Sequence, residues 1–179
     1  MFTSGSIYWA NAGEAVMIAC EEKYAAFAGA ERMLQIVVAQ RLPGDDQFFR
    51  VQLRGVSRSS SMRIGWVQRD SATVPTTDLH LPDDLMCAVR REEFTHGVHL
   101  ADNVIVQAKL VATQKKVTYC CEKFDGREEV QLLDKPLAED VDVSKLFLAA
   151  ILDSPGDAAY LLPSEVGHSW APQIVPGAR

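Results

Sequence analysis

Two short stretches of the sequence, residues 47–53 and 61–67, alternate apolar and polar side chains. The apolar positions are Phe49, Val51 and Leu53 in the first stretch and Met62, Ile64 and Trp66 in the second. Successive side chains of a β-strand point to opposite faces, so each apolar set would share one buried face. The 3.6-residue period of a helix would scatter both sets. We therefore predict two strands with one buried and one solvated face, with Gly65 and Val67 on the solvated side.

Comparable strand signals recur along the chain at close spacing. Further strands are predicted over residues 14–20, 24–28, 34–39, 85–90, 103–111, 117–121, 129–132, 146–152 and 158–162. The run 146–152 is apolar on both faces, so its pattern fits a buried helix as well as a central strand, and we predict the strand. About ten to twelve short strands without an amphipathic helix predict an all-β fold. We expect an antiparallel β-sandwich of the jelly-roll or concanavalin-like kind, with little helix.

The connections between these strands carry turn chemistry and include one long loop. Residues 42–46 combine a proline that fixes φ with a glycine that accepts positive φ, and residues 124–127 contain an Asp-Gly turn pair. Residues 70–84 are polar and lack periodicity, and loops of this length in compact domains are often functional. We predict one sandwich domain over residues 1–162 and a C-terminal tail or linker over 163–179.

Composition argues against several classes of function. The net charge of −6 disfavours nucleic acid or an anionic membrane as the main partner, because both require clustered lysine and arginine. No segment has the roughly 20 apolar residues of a membrane helix, and the first residues lack the pattern of a signal peptide. The four cysteines show no Cys-x-x-Cys spacing, which disfavours zinc and a redox pair and favours free thiols in a reducing compartment. We therefore expect a cytoplasmic protein without membrane insertion.

Two groups of residues could be arranged as chemical sites. They are a metal site at His96, His99 and Asp102, and a hydrolytic triad of Asp78, His80 and either Ser71 or Ser164. The first group lacks a further ligand, and the second lacks the Gly-x-Ser-x-Gly turn that exposes a nucleophile. Glycine-rich phosphate-binding motifs are missing from the sequence. We therefore predict no catalytic residue, no metal and no cofactor.

Several passages of the sequence follow one another in a distinctive order. These passages are residues 8–18, 24–28, 36–53, 60–66, 124–126 and 147–152. An aromatic pair and a glycine precede an alternating strand, a proline-glycine turn joins the next two strands, and a small polar pair precedes Arg63-Ile64-Gly65. This order resembles that of neuralized homology repeat domains over residues 8–162. Two features depart from the family: no tryptophan lies near Leu85 and Met86, and the connection over 118–147 is longer and more charged.

The resemblance implies a SPRY-like, concanavalin-type sandwich with a role in protein–protein recognition, commonly inside adaptor or ubiquitin-ligase proteins. We expect a rigid sandwich to present its partner-binding residues on loops at one end of the sheets, because such loops need little ordering on binding. The candidate loops are 11–13, 42–46, 69–84 and 125–127. The candidate partner-binding residues are Tyr8, Trp9, Asn11, Arg41, Asp45, Arg69, Asp70, His80, Asp125 and Arg127. Trp9 fits an exposed anchor and a core residue equally well.

The expected partner is a protein or a peptide, and three alternatives stay open. A lectin-like, carbohydrate-binding sandwich would use aromatic platforms and loop carboxylates, with or without calcium. An enzyme on the same scaffold would need a deep pocket with a histidine and a carboxylate of shifted pKa. Self-association would use exposed sheet edges, because their unpaired backbone groups can accept another strand.

Overall fold

Twelve strands form two antiparallel sheets in the computed structural model, which describes residues 7–55, 61–90, 103–122 and 129–163. The strands are β1 (Trp9–Ala12), β2 (Val16–Ala19), β3 (Tyr24–Phe27), β4 (Gln35–Ala39), β5 (Gln47–Arg54), β6 (Arg63–Gln68), β7 (Met86–Arg90), β8 (Asn103–Val111), β9 (Lys116–Glu122), β10 (Glu129–Pro136), β11 (Leu146–Leu152) and β12 (Ala158–Leu162). Within these ranges the helical elements are short 3-10 turns at Thr76–Asp78, Ala112–Gln114 and Val143–Lys145. The predicted all-β sandwich is confirmed.

The two sheets have five and seven strands. The smaller sheet has the order β1-β4-β11-β6-β7, and the larger has the order β10-β9-β8-β5-β12-β3-β2. In β11, Ala149 pairs with Val38 on one side and with Gly65 on the other. All seven residues of β11 are buried. The prediction of a central strand over residues 146–152 is therefore confirmed.

The alternation in β5 and around β6 builds the core between the sheets. The predicted apolar set is buried in full: Phe49, Val51, Leu53, Met62, Ile64 and Trp66. The Phe49 and Trp66 rings contact each other with their centroids 6.2 Å apart. Burying a large apolar side chain contributes about 1.5–3 kcal/mol, so this alternation supplies much of the driving force for folding.

The outer face of the five-stranded sheet is also covered, which corrects one prediction. Val67 and Gly65 are buried rather than solvated. Residues 69–85, called here the covering loop, pack apolar side chains against this face. The second apolar cluster comprises Ile36, Val38, Val67, Ala72, Leu85, Phe147, Ala149 and Ile151. The sheet is therefore sandwiched between the main core and the covering loop, a long-range contact that the local pattern of β6 does not encode.

Gly65 shows why the Arg63-Ile64-Gly65 passage needs its glycine. A Cβ at this position would lie 2.7 Å from Cγ of Leu85 and 2.9 Å from the carbonyl oxygen of Met86. The second of these is a backbone atom of the neighbouring strand β7, which cannot move aside as a side chain can. Glycine therefore lets the end of the covering loop approach β6 closely.

Some predictions lie outside the described residues. They are the Asp-Gly turn with Asp125 and Arg127, the metal candidates His96, His99 and Asp102, and the tail from residue 164 onwards. All four cysteines are described and carry free thiols. No helix of the described residues is both long and apolar enough to cross a membrane.

Candidate functional site

The covering loop is fixed to the sheet by polar as well as apolar contacts. Nδ2 of Asn11 donates a hydrogen bond to the carbonyl oxygen of Val74 at 2.7 Å, which joins the loop to the edge strand β1. Nη2 of Arg69 donates to the carbonyl oxygen of Pro75 at 2.8 Å. The loop therefore forms a fixed wall on the sheet instead of an open excursion into solvent.

A groove of about 720 Å³ opens beside this loop. Three segments line it: residues 11–15 after β1, residues 33–36 at the start of β4, and the covering loop between Thr73 and Leu81. Because β1 runs antiparallel to β4, the residues after β1 lie beside the first residues of β4. We call this cavity the groove.

Two large apolar side chains in the groove are exposed. Met33 is 51% exposed and Leu34 is 37% exposed. Leu79 and Leu81 of the covering loop are half-buried and line the same groove. Apolar side chains that share a concave, water-exposed surface are typical of binding sites, because a partner that covers them gains the hydrophobic free energy.

Hydrogen bonds at Met33 and at Gln35, the residue after Leu34, hold the backbone of the Met33–Leu34 pair in place. The backbone N–H of Met33 donates to the carbonyl oxygen of Asp153 at 3.1 Å. On the other side, Oε1 of Gln35 accepts a hydrogen bond from the backbone N–H of Ala15 at 2.8 Å. The backbone of the exposed pair therefore needs little further ordering when a partner binds, which lowers the entropic cost of association.

Gly13 gives the Gln35 side chain the space for this contact. The N–H of Gly13 donates to the carbonyl oxygen of Ile36 at 2.9 Å. A Cβ on Gly13 would lie 2.3 Å from Oε1 of Gln35. Any larger residue at position 13 would therefore displace the amide that joins the two segments of the groove.

Asp153 anchors the segment that precedes β4. Its buried carboxylate accepts hydrogen bonds from Nη2 of Arg32 at 2.7 Å and from Oγ of Ser61 at 2.6 Å. Burial alone raises the pKa of Asp153, but the hydrogen bonds from Ser61 and Arg32 outweigh burial and hold the pKa below its usual range. The carboxylate is therefore charged at neutral pH and keeps Arg32 beside it.

Trp9 is a core residue, which corrects its prediction as a partner-binding anchor. Its side chain is fully buried, and its Nε1 donates a hydrogen bond to the carbonyl oxygen of Ala159 at 3.2 Å. Ala159 belongs to β12, so this bond joins the five-stranded sheet to the seven-stranded sheet. A buried indole N–H usually has a hydrogen-bond partner, which here is a carbonyl oxygen of the opposite sheet. The residues next to Trp9 in the sequence do not indicate this partner.

Two of the predicted loops lie at opposite ends of β4, so the described loops do not all gather at one end of the sheets as predicted. Residues 11–13 lie beside the start of β4, whereas residues 42–46 follow its end. Only Asn11 of the predicted partner-binding residues in the described ranges lines the groove. Its amide positions the covering loop through the hydrogen bond to Val74, which is a structural role.

The remaining predicted residues lie elsewhere. Arg41 is half-buried and donates through Nη1 to the carbonyl oxygens of Val143 and Leu146, so it fastens the turn before β11. Burial lowers the pKa of Arg41, and the nearby carboxylate of Asp45 partly opposes that shift. Asp45 itself is exposed.

Arg69 and Asp70 line a separate depression of about 390 Å³. Asp70 forms an exposed ion pair with Lys145, with 3.1 Å between Oδ1 and Nζ. His80 is exposed on the covering loop, and Tyr8 is half-buried ahead of β1. Neither His80 nor Tyr8 is among the described residues that line the groove.

Sequence reasoning missed Met33 and Leu34. Leu34 was predicted as the first residue of a strand over 34–39, which would bury it. The signal available in the sequence is a pair of apolar residues directly after the charged residues Glu31 and Arg32 and before β4 begins. This signal does not reveal exposure, because the position of the pair depends on Asp153, which is distant in the sequence.

Comparison with known proteins identifies the fold. No protein-family model and no curated protein sequence matches the chain. A human SPRY domain of known structure matches 88% of this chain and 100% of its own length, with a TM-score of 0.56 and 15% identity. The SPRY domain of human HERC1 matches 88% of this chain and 96% of its own length, with a TM-score of 0.53 and 11% identity.

A more distant match is the exoplasmic/lumenal domain of VIP36 in a form bound to Ca²⁺ and Man3GlcNAc. It covers 91% of this chain and 86% of its own length, with a TM-score of 0.50 and 9% identity. At these identities the matches show the fold alone. The chain has a SPRY-like sandwich, and its ligand must be argued from its own residues. Among the described residues, no group of three or more His, Cys, Asp or Glu side chains could hold a metal ion.

Proposed function

We propose that this chain is a non-catalytic protein-interaction domain that binds a segment of a partner protein in the groove. The observation that carries the proposal is the pair Met33 and Leu34, exposed in a concave surface and fixed at both ends. Covering exposed apolar surface lowers the free energy, and a backbone that is already held in place loses little entropy on binding. Both properties suit a recognition surface.

The chemistry of the groove supports binding over catalysis. Among the described residues that line it, Glu14 is the one with a titratable side chain. An activated nucleophile needs a base within hydrogen-bond reach, and the base is usually oriented by a third group. Glu14 has no histidine, lysine, cysteine or second carboxylate beside it among the described lining residues. None of the described lining residues is aromatic, so the groove also lacks the stacking platform expected of a lectin-like site.

The family resemblance extends the proposal to the biological setting. The passages over residues 8–18 and 60–66 resemble those of neuralized homology repeats, and the SPRY-like fold is compatible with that resemblance. We infer a recruiting role inside an adaptor or a ubiquitin-ligase-related protein in the cytoplasm. The sandwich would supply the recognition surface, and other parts of such an assembly would supply any enzymatic activity.

Affinity capture with three forms of the full chain tests the proposal. The groove variant carries Met33→Glu and Leu34→Glu, and the control carries Met17→Glu. Met17 is 53% exposed on β2 and lies outside the groove, so the control adds a charge to an equally exposed methionine. All three forms should keep nearly the same melting temperature, because the altered side chains are exposed.

We expect a cytosolic protein to bind both the natural chain and the Met17→Glu control. The groove variant should not retain that protein. Purified partner and purified chain should then reproduce the same order of affinities by calorimetry. If the groove variant retains every captured protein as well as the natural chain does, the groove is not the binding site.

A further inference from the structure

We propose that the groove, if it is the recognition site inferred above, binds a peptide segment that combines two apolar side chains with an adjacent lysine or arginine. This inference rests on the proposed function and adds the chemical class of the partner. Three features of the described residues carry it: the apolar pair, the free hydroxyls of the covering loop, and the sign of the charge around the groove.

The apolar pair sets the first requirement. Met33 and Leu34 are neighbours in sequence, and both present exposed surface to one cavity. A partner that carries two apolar side chains can cover both residues at once. Methionine is flexible and polarizable, so Met33 can adapt to apolar side chains of different shape while Leu34 offers a more fixed surface.

The covering loop supplies hydrogen bonds for a peptide backbone. Thr76 and Thr77 line the groove, and their hydroxyls form no hydrogen bond with any other described residue. A peptide that enters an apolar groove must exchange water for other hydrogen-bond partners at its own N–H and C=O groups. Hydroxyls both donate and accept, so they suit a main chain irrespective of its direction.

The charge around the groove is negative. Glu14 lines the groove and is exposed, and no described lysine, arginine or histidine lines it. Asp78 is exposed within the covering-loop segment of the lining, and Glu31 is exposed two residues before Met33. Arg32 is the nearest cation in the sequence, and its guanidinium is engaged by Asp153. A cationic partner side chain is therefore attracted to the rim, and an acidic partner is repelled.

Selection from a phage-displayed library of random peptides tests the inference. The library is selected in parallel against the natural chain, the Glu14→Lys variant, and the groove variant with Met33→Glu and Leu34→Glu. We expect the natural chain to enrich peptides with two apolar residues beside a lysine or arginine. Against Glu14→Lys the enriched peptides should lose that cation or replace it with an acidic residue.

A synthetic peptide of the enriched sequence then gives the magnitude. Glu14→Gln should weaken its binding about three- to fivefold, the upper part of the range for one exposed charge pair. Asp45→Asn removes an exposed carboxylate near the opposite end of β4 and should leave the affinity within twofold.

The outcomes separate this inference from the proposed function. Peptides that depend on Met33 and Leu34 but show no preference for a cation overturn the basic-apolar class and leave the groove as the recognition site. If no enriched peptide depends on Met33 and Leu34, both the partner class and the function proposed for the groove are overturned.

Discussion

Two fully buried tryptophans provide a matched pair that tests how the sandwich is held together. Nε1 of Trp9 donates to the carbonyl oxygen of Ala159 in the opposite sheet at 3.2 Å. Nε1 of Trp66 has no hydrogen-bond partner among the described residues. Changing each residue to phenylalanine removes the same atoms from an equally buried site. The difference between the two variants therefore reports whether the buried indole N–H has a hydrogen-bond partner.

The expected magnitudes follow from three contributions. Removing the extra ring atoms from a packed core costs about 1–2 kcal/mol in either variant. Trp9→Phe also loses a hydrogen bond with a net contribution of about 1 kcal/mol, so its total loss is about 2–3 kcal/mol. Trp66→Phe instead removes an unpaired buried donor, whose burial costs about 1–3 kcal/mol, so its total change is close to zero. Trp9→Phe should therefore be the less stable variant by about 2–4 kcal/mol.

Urea unfolding followed by circular dichroism measures both free energies of unfolding, with equal slopes as the check that both unfold in the same way. Binding of the groove partner at a temperature where both variants are folded should match that of the natural chain, since Trp9 is a core residue. Equal losses of stability in the two variants would refute the assignment of the inter-sheet hydrogen bond. Weakened binding by folded Trp9→Phe would restore Trp9 as a candidate contact residue.

Three further predictions test other parts of the structure. Asp153→Asn should lower the free energy of unfolding by about 2 kcal/mol at pH 7, because it breaks a charge-assisted hydrogen bond to a buried carboxylate. The pKa of Asp153 is lowered in the folded state. Its contribution to the free energy of unfolding is therefore complete above the unfolded pKa of about 4 and declines as the pH falls below that value. Urea titrations from pH 7 to 3 should show the free energies of unfolding of the variant and the natural chain converging. Gly65→Ala should lower the free energy of unfolding by about 2–3 kcal/mol, because the new Cβ meets the carbonyl oxygen of Met86. The control Gly29→Ala should lower it less, because the nearest contacts of that Cβ are side-chain atoms. Equal melting temperatures of the two variants would contradict this. Asn11→Ala should lower the free energy of unfolding by about 1–2 kcal/mol and speed amide hydrogen exchange in the covering loop, because the hydrogen bond to Val74 is lost. Unchanged exchange would show that another contact holds the loop.

The sequence predicts those parts of the fold that depend on neighbouring residues. The alternation of Phe49, Val51 and Leu53 predicts a strand because the two faces of a strand follow directly from odd and even positions. The apolar run over 146–152 predicts a buried element because it offers no polar face to solvent, and the structure shows the strand of the two alternatives. Both predictions are confirmed, and together with the close spacing of the other strands they define the sandwich.

Predictions fail where a residue's surroundings come from a distant part of the chain. Val67 looks like a solvent-facing strand residue, but the covering loop buries it. Trp9 looks like a possible anchor until Ala159 of the opposite sheet supplies its hydrogen-bond partner. The exposure of Met33 depends on Asp153, which no local pattern connects to it.

The most direct test of the account follows the methionine methyl groups by NMR. The chain has five methionines, so ¹³C-methyl labelling gives few signals, and substitution of each residue assigns them. Met33 lies in the groove, Met17 is exposed outside it, and Met62 is buried in the core. On titration with the enriched peptide, the Met33 signal should shift while the Met17 and Met62 signals stay in place. A shift of the Met17 signal with the Met33 signal unchanged would contradict recognition through the groove.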